Sequence, residues 1–139
     1  GEVLNESILT TKISQFPEQV GENEEFIRQH WLGGRTADCI GLIKGYAWFN
    51  CDTGQIEYRS NGVRDTGSDP MLDMATEKGT IDTMPDIPGI AVWMDGHIGI
   101  YVGDGQFIHA PHTGDVVKYD SLSGSYATRF QGGGRVIFD

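Results

Sequence analysis

Residues 97–110 read HIGIYVGDGQFIHA, and this stretch decides the fold of the C-terminal half of the 139-residue chain. Its apolar and aromatic residues, split by a glycine-rich break, are typical of a β-hairpin. We expect Gly103-Asp104-Gly105 to form a three-residue loop with Val102 facing Gln106. Gly105 can adopt the positive φ that the last position of such a loop requires.

This predicted register brings two histidines together. Gly99 would lie opposite His109, with His97 diagonal to it at about 7 Å, within reach of two imidazole rings. The missing side chain of Gly99 leaves room between them. A two-residue loop would instead send the imidazoles to opposite faces of the sheet.

The second informative stretch is DCIGL, residues 38–42, which is followed by apolar residues at helical spacing. We expect a central helix that begins near Asp38 or Cys39, with Leu42, Ile43, Tyr46, Ala47 and Phe49 among its apolar residues. Unpaired amides at a helix start and a nearby imidazolium both stabilise a thiolate, the reactive form of cysteine. We therefore predict that Cys39 attacks a carbonyl, that His97 accepts and returns its proton, and that His109 orients His97.

Helical patterns precede strand patterns along the chain. Residues 1–22 are predicted to form an N-terminal arm with a helical segment ending before Pro17, and residues 23–30 a helix capped by Asn23. Residues 50–80 indicate an insertion near the cleft, with a strand-like patch at 55–59 and a short helix from Asp69 to Gly79. The expected strands are 90–94, 97–102, 107–110, 116–119 and 135–138, the first two joined by an Asp95-Gly96 turn. This order predicts one α+β domain over residues 1–139.

The composition excludes several classes of partner. The formal net charge is −10, which argues against nucleic acid and anionic membranes as partners. No apolar run is long enough to span a bilayer, and the first residues do not form a signal peptide, so an exported protein would have lost its signal. Two cysteines cannot build a disulfide framework, and Cys51 is most simply a core or surface thiol.

The motifs resemble those of NlpC/P60-type cysteine peptidases, a papain-like family of cell-wall endopeptidases. Residues 38–42 are similar to the family's D-C-S-G-[FL], and residues 97–110 to its H-x-G-I-Y-x-G-x-G-x-x-I-H-A. Leu32-Gly33-Gly34 stands where the family often has W-G-G. The resemblance covers most of residues 32–111, and the N-terminal arm and residues 50–79 lie outside it.

The resemblance implies a papain-like fold in which N-terminal helices pack on a C-terminal antiparallel sheet, with the site between them. It implies hydrolysis of amide bonds in peptidoglycan stem peptides, commonly after γ-linked D-glutamate. We accordingly expect no cofactor and no metal, a peptidoglycan or muropeptide substrate, and a secreted, extracellular or cell-wall location. Because an acidic domain gains little adhesion to an anionic wall, we expect either that a separate segment supplies wall binding or that this domain acts on soluble wall fragments.

Two positions depart from the family pattern: Ile40 replaces a serine or threonine, and His30 stands where a tyrosine is common. We expect six residues to border the substrate: Asp38, Ile40, Gly41, His30, Trp31 and Arg35. The nearest cations for stem-peptide carboxylates are Arg28, Arg35 and Lys44.

Three alternatives remain open. Cys39, His97 and His109 could instead be three ligands of a catalytic zinc ion. The chain could also be a noncatalytic wall-binding module on the same fold. An acyltransferase on a related scaffold would need an apolar acyl channel.

Overall fold

The structure is a computed structural model that describes residues 3–126, 130 and 132–135. Within these residues the helices are α1 Glu6–Gln15, α2 Glu24–His30, α3 Cys39–Ala47 and α4 Ser68–Asp73. The strands are β1 Phe49–Asn50, β2 Gln55–Ile56, β3 Glu77–Gly79, β4 Ala91–Met94, β5 His97–Gly103, β6 Gln106–His109, β7 Lys118–Ser121 and β8 Gly132–Arg135. Single 3₁₀ turns lie at Gly21–Asn23, Ile81–Thr83 and Gly124–Tyr126.

An antiparallel sheet of six strands forms the second half, in the order β3-β8-β4-β5-β6-β7, and β1 and β2 form a separate pair. This arrangement confirms the predicted α+β class. None of the helices in the described part of the chain has the length and apolar character needed to cross a membrane.

The central helix α3 packs on β5, as its apolar spacing predicts. Its buried face consists of Ile40, Ile43 and Ala47, which join Ala91 and Ile98 of the sheet in one apolar cluster. The prediction that Tyr46 and Phe49 belong to the same apolar face is wrong, since these side chains are 77% and 45% exposed. Phe49 lies beyond the helix, in β1.

The hairpin of β5 and β6 differs from the prediction in its loop. Gly103 pairs with Gln106, which leaves Asp104 and Gly105 as a two-residue loop, and both have positive φ, at 53° and 71°. This is the backbone signature of a type I′ turn. A register shift between Tyr101 and Gly103 then adds one residue to β5.

The bulge restores the register on which the histidine argument depends. Ile100 pairs with Ile108, so the next position of the ladder sets Gly99 beside His109, as expected. A Cβ atom at Gly99 would lie 3.2 Å from the His109 Cβ and 3.0 Å from the Ile108 carbonyl oxygen. Only glycine therefore fits this position without displacing the neighbouring strand.

Several other sequence predictions need correction. The helix from Asp69 ends at Asp73, and residues 77–79 form β3, because their backbone groups pair with β8. Asn23 precedes α2 but its side chain donates to the Gln19 carbonyl and does not cap the helix. β7 lies two residues later than predicted. Most of the strand predicted at 135–138 lies outside the described residues, which place β8 at 132–135.

The N-terminal arm is tied to the segment that leads into α3. Its helix α1 is capped by Asn5, whose side chain accepts from the Ile8 amide at 2.9 Å. The Leu4 amide donates to the Gly34 carbonyl, and the Gly33 amide donates to the Leu4 carbonyl. The arm therefore lies against residues 33 and 34, which lead into α3 and Cys39.

Candidate active site

Cys39 is the first residue of α3. The carboxylate of Asp38 accepts from the Gly41 amide at 2.6 Å and so caps the helix. The Cys39 side chain is partly buried, and the Ile98 amide of β5 donates a hydrogen bond to its sulfur. Helix capping and packing on β5 thus place the sulfur next to the strand that begins with His97.

The thiol is not held ionised by the helix start alone. Burial raises the pKa of the Cys39 thiol, and the negative charge of Asp38 raises it as well. Hydrogen bonds from the backbone amides of Ile98, Ile40 and Cys39 act in the opposite direction but do not outweigh burial. The helix start alone therefore does not lower the pKa of this thiol, and the predicted activation of Cys39 depends on the second element of the expectation, a nearby histidine that accepts its proton.

The two histidines of the hairpin are directly hydrogen bonded. His97 Nε2 lies 2.8 Å from His109 Nδ1, and His109 Nε2 lies 2.7 Å from Oδ2 of Asp120. His109 is fully buried and His97 is 8% exposed. The two rings and the carboxylate form a hydrogen-bonded chain across β5, β6 and β7, and its last member, Asp120, is not among the predicted site residues.

Aromatic rings hold the histidine pair in place. Phe107 and Tyr126 contact the His109 ring, with centroid distances of 4.5 and 5.4 Å. Phe130 lies 6.3 Å from the His97 ring. This surrounding restricts rotation of the imidazoles and lowers the local polarity, which strengthens the hydrogen bonds between them.

A cleft of about 990 Å³ contains both Cys39 and His97 in its lining. Five of the six predicted substrate-binding residues also line it: Asp38, Gly41, His30, Trp31 and Arg35. Ile40 does not, and its side chain is instead buried in the core between α3 and the sheet. The described lining includes no residue from 50–80, so the insertion does not form a wall of this cleft.

The basic side chains that line the cleft differ from those predicted by proximity in sequence. Arg28 binds Glu6 and Glu24, and Lys44 binds Asp65 at 2.6 Å, and neither belongs to the lining. Arg35 does line the cleft, together with Lys12 of the N-terminal arm. Lys12 was missed because nothing in the sequence pattern brings residue 12 next to residue 39.

A second wall is formed by the loop after β6, residues 110–117. The indole of Trp31 donates to the Asp115 carbonyl at 2.7 Å and ties this loop to α2. The carboxylate of Asp115 accepts from Lys118 at 2.8 Å, which holds the pKa of Asp115 below its ordinary value. The loop is therefore anchored from both sides of the cleft.

The insertion, residues 50–80, contacts the turn that precedes β5. Oδ1 of Asp69, in α4, accepts from the Trp93 indole at 2.9 Å and from the Gly96 amide at 3.2 Å. Gly96 immediately precedes His97 and borders the cleft. Asp69, the first residue of the predicted helix, thus fixes the turn that leads into β5.

The side chains of Cys39, His97 and His109 are not arranged as the ligands of a metal ion. His97 Nε2 and His109 Nδ1 are directed at each other, whereas zinc ligands converge on one point. Among the described residues, no group of three or more His, Cys, Asp or Glu side chains is arranged to hold a metal ion. The geometry fits proton transfer along a chain better than metal binding.

Replacing Asp38 by asparagine is expected to make Cys39 more reactive toward iodoacetamide near neutral pH. The charge of Asp38 raises the pKa of the thiol, so its removal lowers that pKa and increases the thiolate fraction. Asparagine caps helices as well as aspartate does, so α3 should keep its start. Alkylation rates across pH would test this, with Asp104→Asn at the tip of the hairpin as a matched loss of charge. An unchanged or slower rate for Asp38→Asn would contradict it.

Comparison with known proteins agrees with this architecture. The sequence model of the NlpC/P60 family matches residues 27–135, a longer range than the motifs alone cover. The chain is also similar to murein DD-endopeptidase MepH of Escherichia coli (strain K12), at 46% identity over 41 residues. That stretch covers 30% of this chain and 15% of the relative. The N-terminal arm that carries Lys12 lies outside the family match.

Proposed function

This chain belongs to the NlpC/P60 family, and we propose that it is a cysteine peptidase that hydrolyses amide bonds in peptidoglycan stem peptides. The observation that carries the proposal is one arrangement of three side chains. Cys39 begins a helix in the same cleft as His97, and His97 is bonded to the buried His109 at 2.8 Å. The murein endopeptidase name of the relative supports the substrate class.

The proposed reaction proceeds through an acyl-thioester. The sulfur of Cys39 bonds to the carbonyl carbon, and the thiol proton passes to His97. In this proposal the backbone amide of Cys39, at the first turn of α3, donates to the oxyanion that forms. His97 then protonates the departing amine as the carbon–nitrogen bond breaks. Water, deprotonated by His97, attacks the thioester and restores the free thiol.

The bond we propose is the amide between γ-linked D-glutamate and the diamino acid of the stem peptide. The relative's name indicates a second bond to test, an amide between two D-residues. Incubation of defined muropeptides with the enzyme, followed by mass spectrometry of the products, distinguishes the two. A product ending in free γ-D-glutamate supports the proposed bond. Cleavage of the D,D-amide alone would show that the enzyme cleaves that bond instead. Muropeptides that remain intact would overturn the proposed function.

We propose that Lys12 contributes to recognition of the substrate's carboxylates. Its ammonium lies 3.4 Å from the Gln15 amide oxygen and 5.6 Å from the centroid of the Phe16 ring, and both partners are uncharged. It faces a cleft that holds two carboxylates of its own, Asp38 and Asp115. A stem peptide with several carboxylates needs a cation here to offset that repulsion.

Lys12→Glu is expected to raise KM about fivefold, since an exposed ion pair is worth up to about 1 kcal/mol and reversal of the charge adds repulsion. Lys78→Glu, on β3 and away from the cleft, is the matched control. A muropeptide with amidated carboxylates should show a smaller difference between Lys12→Glu and the wild type. Equal KM values for both variants and the wild type would remove Lys12 from the recognition site.

A second candidate, transfer of an acyl group to an acceptor other than water, is favoured by one observation. The arm gives the cleft apolar side chains that are at least partly exposed, namely Ile8, Phe16 and Val20, over the buried core residues Leu4, Leu9 and Ile27. The same mass spectra separate the two reactions when an amine acceptor is added. Incorporation of the amine into the product in preference to water would favour the transferase.

We also propose that the enzyme acts outside the cytoplasm, where its substrate lies, and that a separate segment supplies wall binding. The support is the net charge of −10, which gives the domain little attraction to anionic wall polymers. Strong cosedimentation of this chain with intact walls at low salt would contradict the need for that segment.

A further inference from the structure

We propose that Asp120 is a positioning residue that selects the tautomers of both histidines, so that His97 offers a basic Nδ1 to Cys39. This inference rests on the proposed function and adds a fourth residue to it. Asp120 does not touch the substrate. It acts through His109.

The sheet register puts Asp120 where this role requires it. Asp120 pairs with Phe107 across β6 and β7, and is therefore diagonal to His109 on the same face. Its Oδ2 lies 2.7 Å from His109 Nε2, and the carboxylate side chain is 28% exposed while His109 is fully buried. The exposed fraction lets water stabilise the ionised carboxylate at the outer end of the chain.

The hydrogen-bonding rules then leave one neutral arrangement. An ionised carboxylate can only accept, so His109 carries its hydrogen on Nε2 and its Nδ1 becomes an acceptor. His97 must donate from Nε2 to that nitrogen, which lies 2.8 Å away. The lone pair of His97 is thereby on Nδ1, and this is the nitrogen that can take the proton of the Cys39 thiol.

Loss of the carboxylate permits the opposite arrangement. His109 could then carry its hydrogen on Nδ1 and donate to His97 Nε2, and the hydrogen of His97 would move to Nδ1. In that state His97 cannot accept the thiol proton. The neighbouring cation Lys118 does not enforce either state, because it is bound to Asp115 at 2.8 Å.

The direct test is ¹⁵N NMR of histidine-labelled protein, which reports the tautomer of each neutral ring without substrate. In the wild-type chain, both His97 and His109 should carry hydrogen on Nε2. In Asp120→Asn the populations should become mixed, because an amide can donate as well as accept. Asp120→Glu keeps an acceptor-only group and should restore the wild-type tautomers.

Activity on muropeptides gives the second readout. Replacing the orienting carboxylate of a three-residue triad by an amide lowers kcat about 10⁴-fold, and we expect about 10- to 100-fold here because Asp120 acts through one more ring. KM should change little, and Asp120→Glu should recover part of the loss. Asp104→Asn serves as the control for loss of a charge.

A failure of the proposed role of Asp120 can be distinguished from a failure of the proposed function. Wild-type tautomers in Asp120→Asn, or activity within twofold of the wild type, would overturn the role of Asp120. If no muropeptide is cleaved by the wild type, the proposed function fails, and the NMR result still decides whether Asp120 sets the tautomers. If Asp120→Asn does not fold, the wild type alone still tests the proposal: a hydrogen on Nδ1 of neutral His97 or neutral His109 would overturn it.

Discussion

Muropeptide hydrolysis by Cys39→Ala is expected to fall by about 10⁴-fold or more, because loss of a nucleophile removes the covalent route and its partners cannot compensate. The substrate should still bind, since the cleft lining other than the sulfur is retained. Mass spectrometry of the digest measures turnover, and equilibrium binding of the intact muropeptide to the variant measures recognition.

Cys51→Ala is the matched control for Cys39→Ala. Cys51 is exposed, lies beyond the central helix and does not line the cleft. The Cys51→Ala variant should keep wild-type activity, because it removes a thiol that lies outside the cleft. Residual turnover of Cys39→Ala near the wild-type rate would show that sulfur at this position is not the nucleophile. Loss of binding along with turnover would show that the substitution disturbs the cleft.

Hydrolysis by His97→Ala is expected to fall by about 10³- to 10⁴-fold, the upper range for removal of a general acid–base group. His97 lines the cleft with Cys39, and two steps of the proposed reaction need it: removal of the thiol proton and protonation of the amine. His109→Ala should cost less, because His109 acts on the reaction only through His97.

The measurement is kcat for both histidine variants beside thermal unfolding, which identifies any general loss of the fold. His97→Ala with a rate within tenfold of the wild type would contradict its role as the base. A larger loss of kcat in His109→Ala than in His97→Ala, at equal stability, would show that His97 is not the base.

The local sequence was sufficient to predict the hairpin and the approach of the two histidines. Alternating residues and a glycine-rich loop specify a hairpin, and Gly99 leaves the space that the rings need. The loop itself was assigned incorrectly because Asp104 adopts a positive φ and the bulge supplies the extra residue. Two local features that compensate for each other cannot be separated by counting residues.

Other features depend on contacts between distant segments. Glu77–Gly79 was assigned to a helix by its end signals, but pairing with β8, more than fifty residues later, makes it a strand. The strand predicted at 116–119 ends one residue before Asp120, so nothing in the sequence pattern brings Asp120 next to His109. Lys12 reaches the cleft only because the arm pairs with residues 33 and 34. In each case the deciding partner is remote in sequence.

The most direct test of the central claim is the rate at which iodoacetamide labels Cys39 relative to Cys51 near neutral pH, read by peptide mass spectrometry. Cys51 serves as an internal reference for an exposed thiol. In the wild type, Cys39 should be labelled faster, because His97 accepts its proton. In His97→Ala it should be labelled more slowly than Cys51, since burial and Asp38 raise the pKa of the thiol that remains. Labelling of Cys39 in the wild type no faster than of Cys51, or a rate that His97→Ala leaves unchanged, would contradict a thiol activated by this histidine.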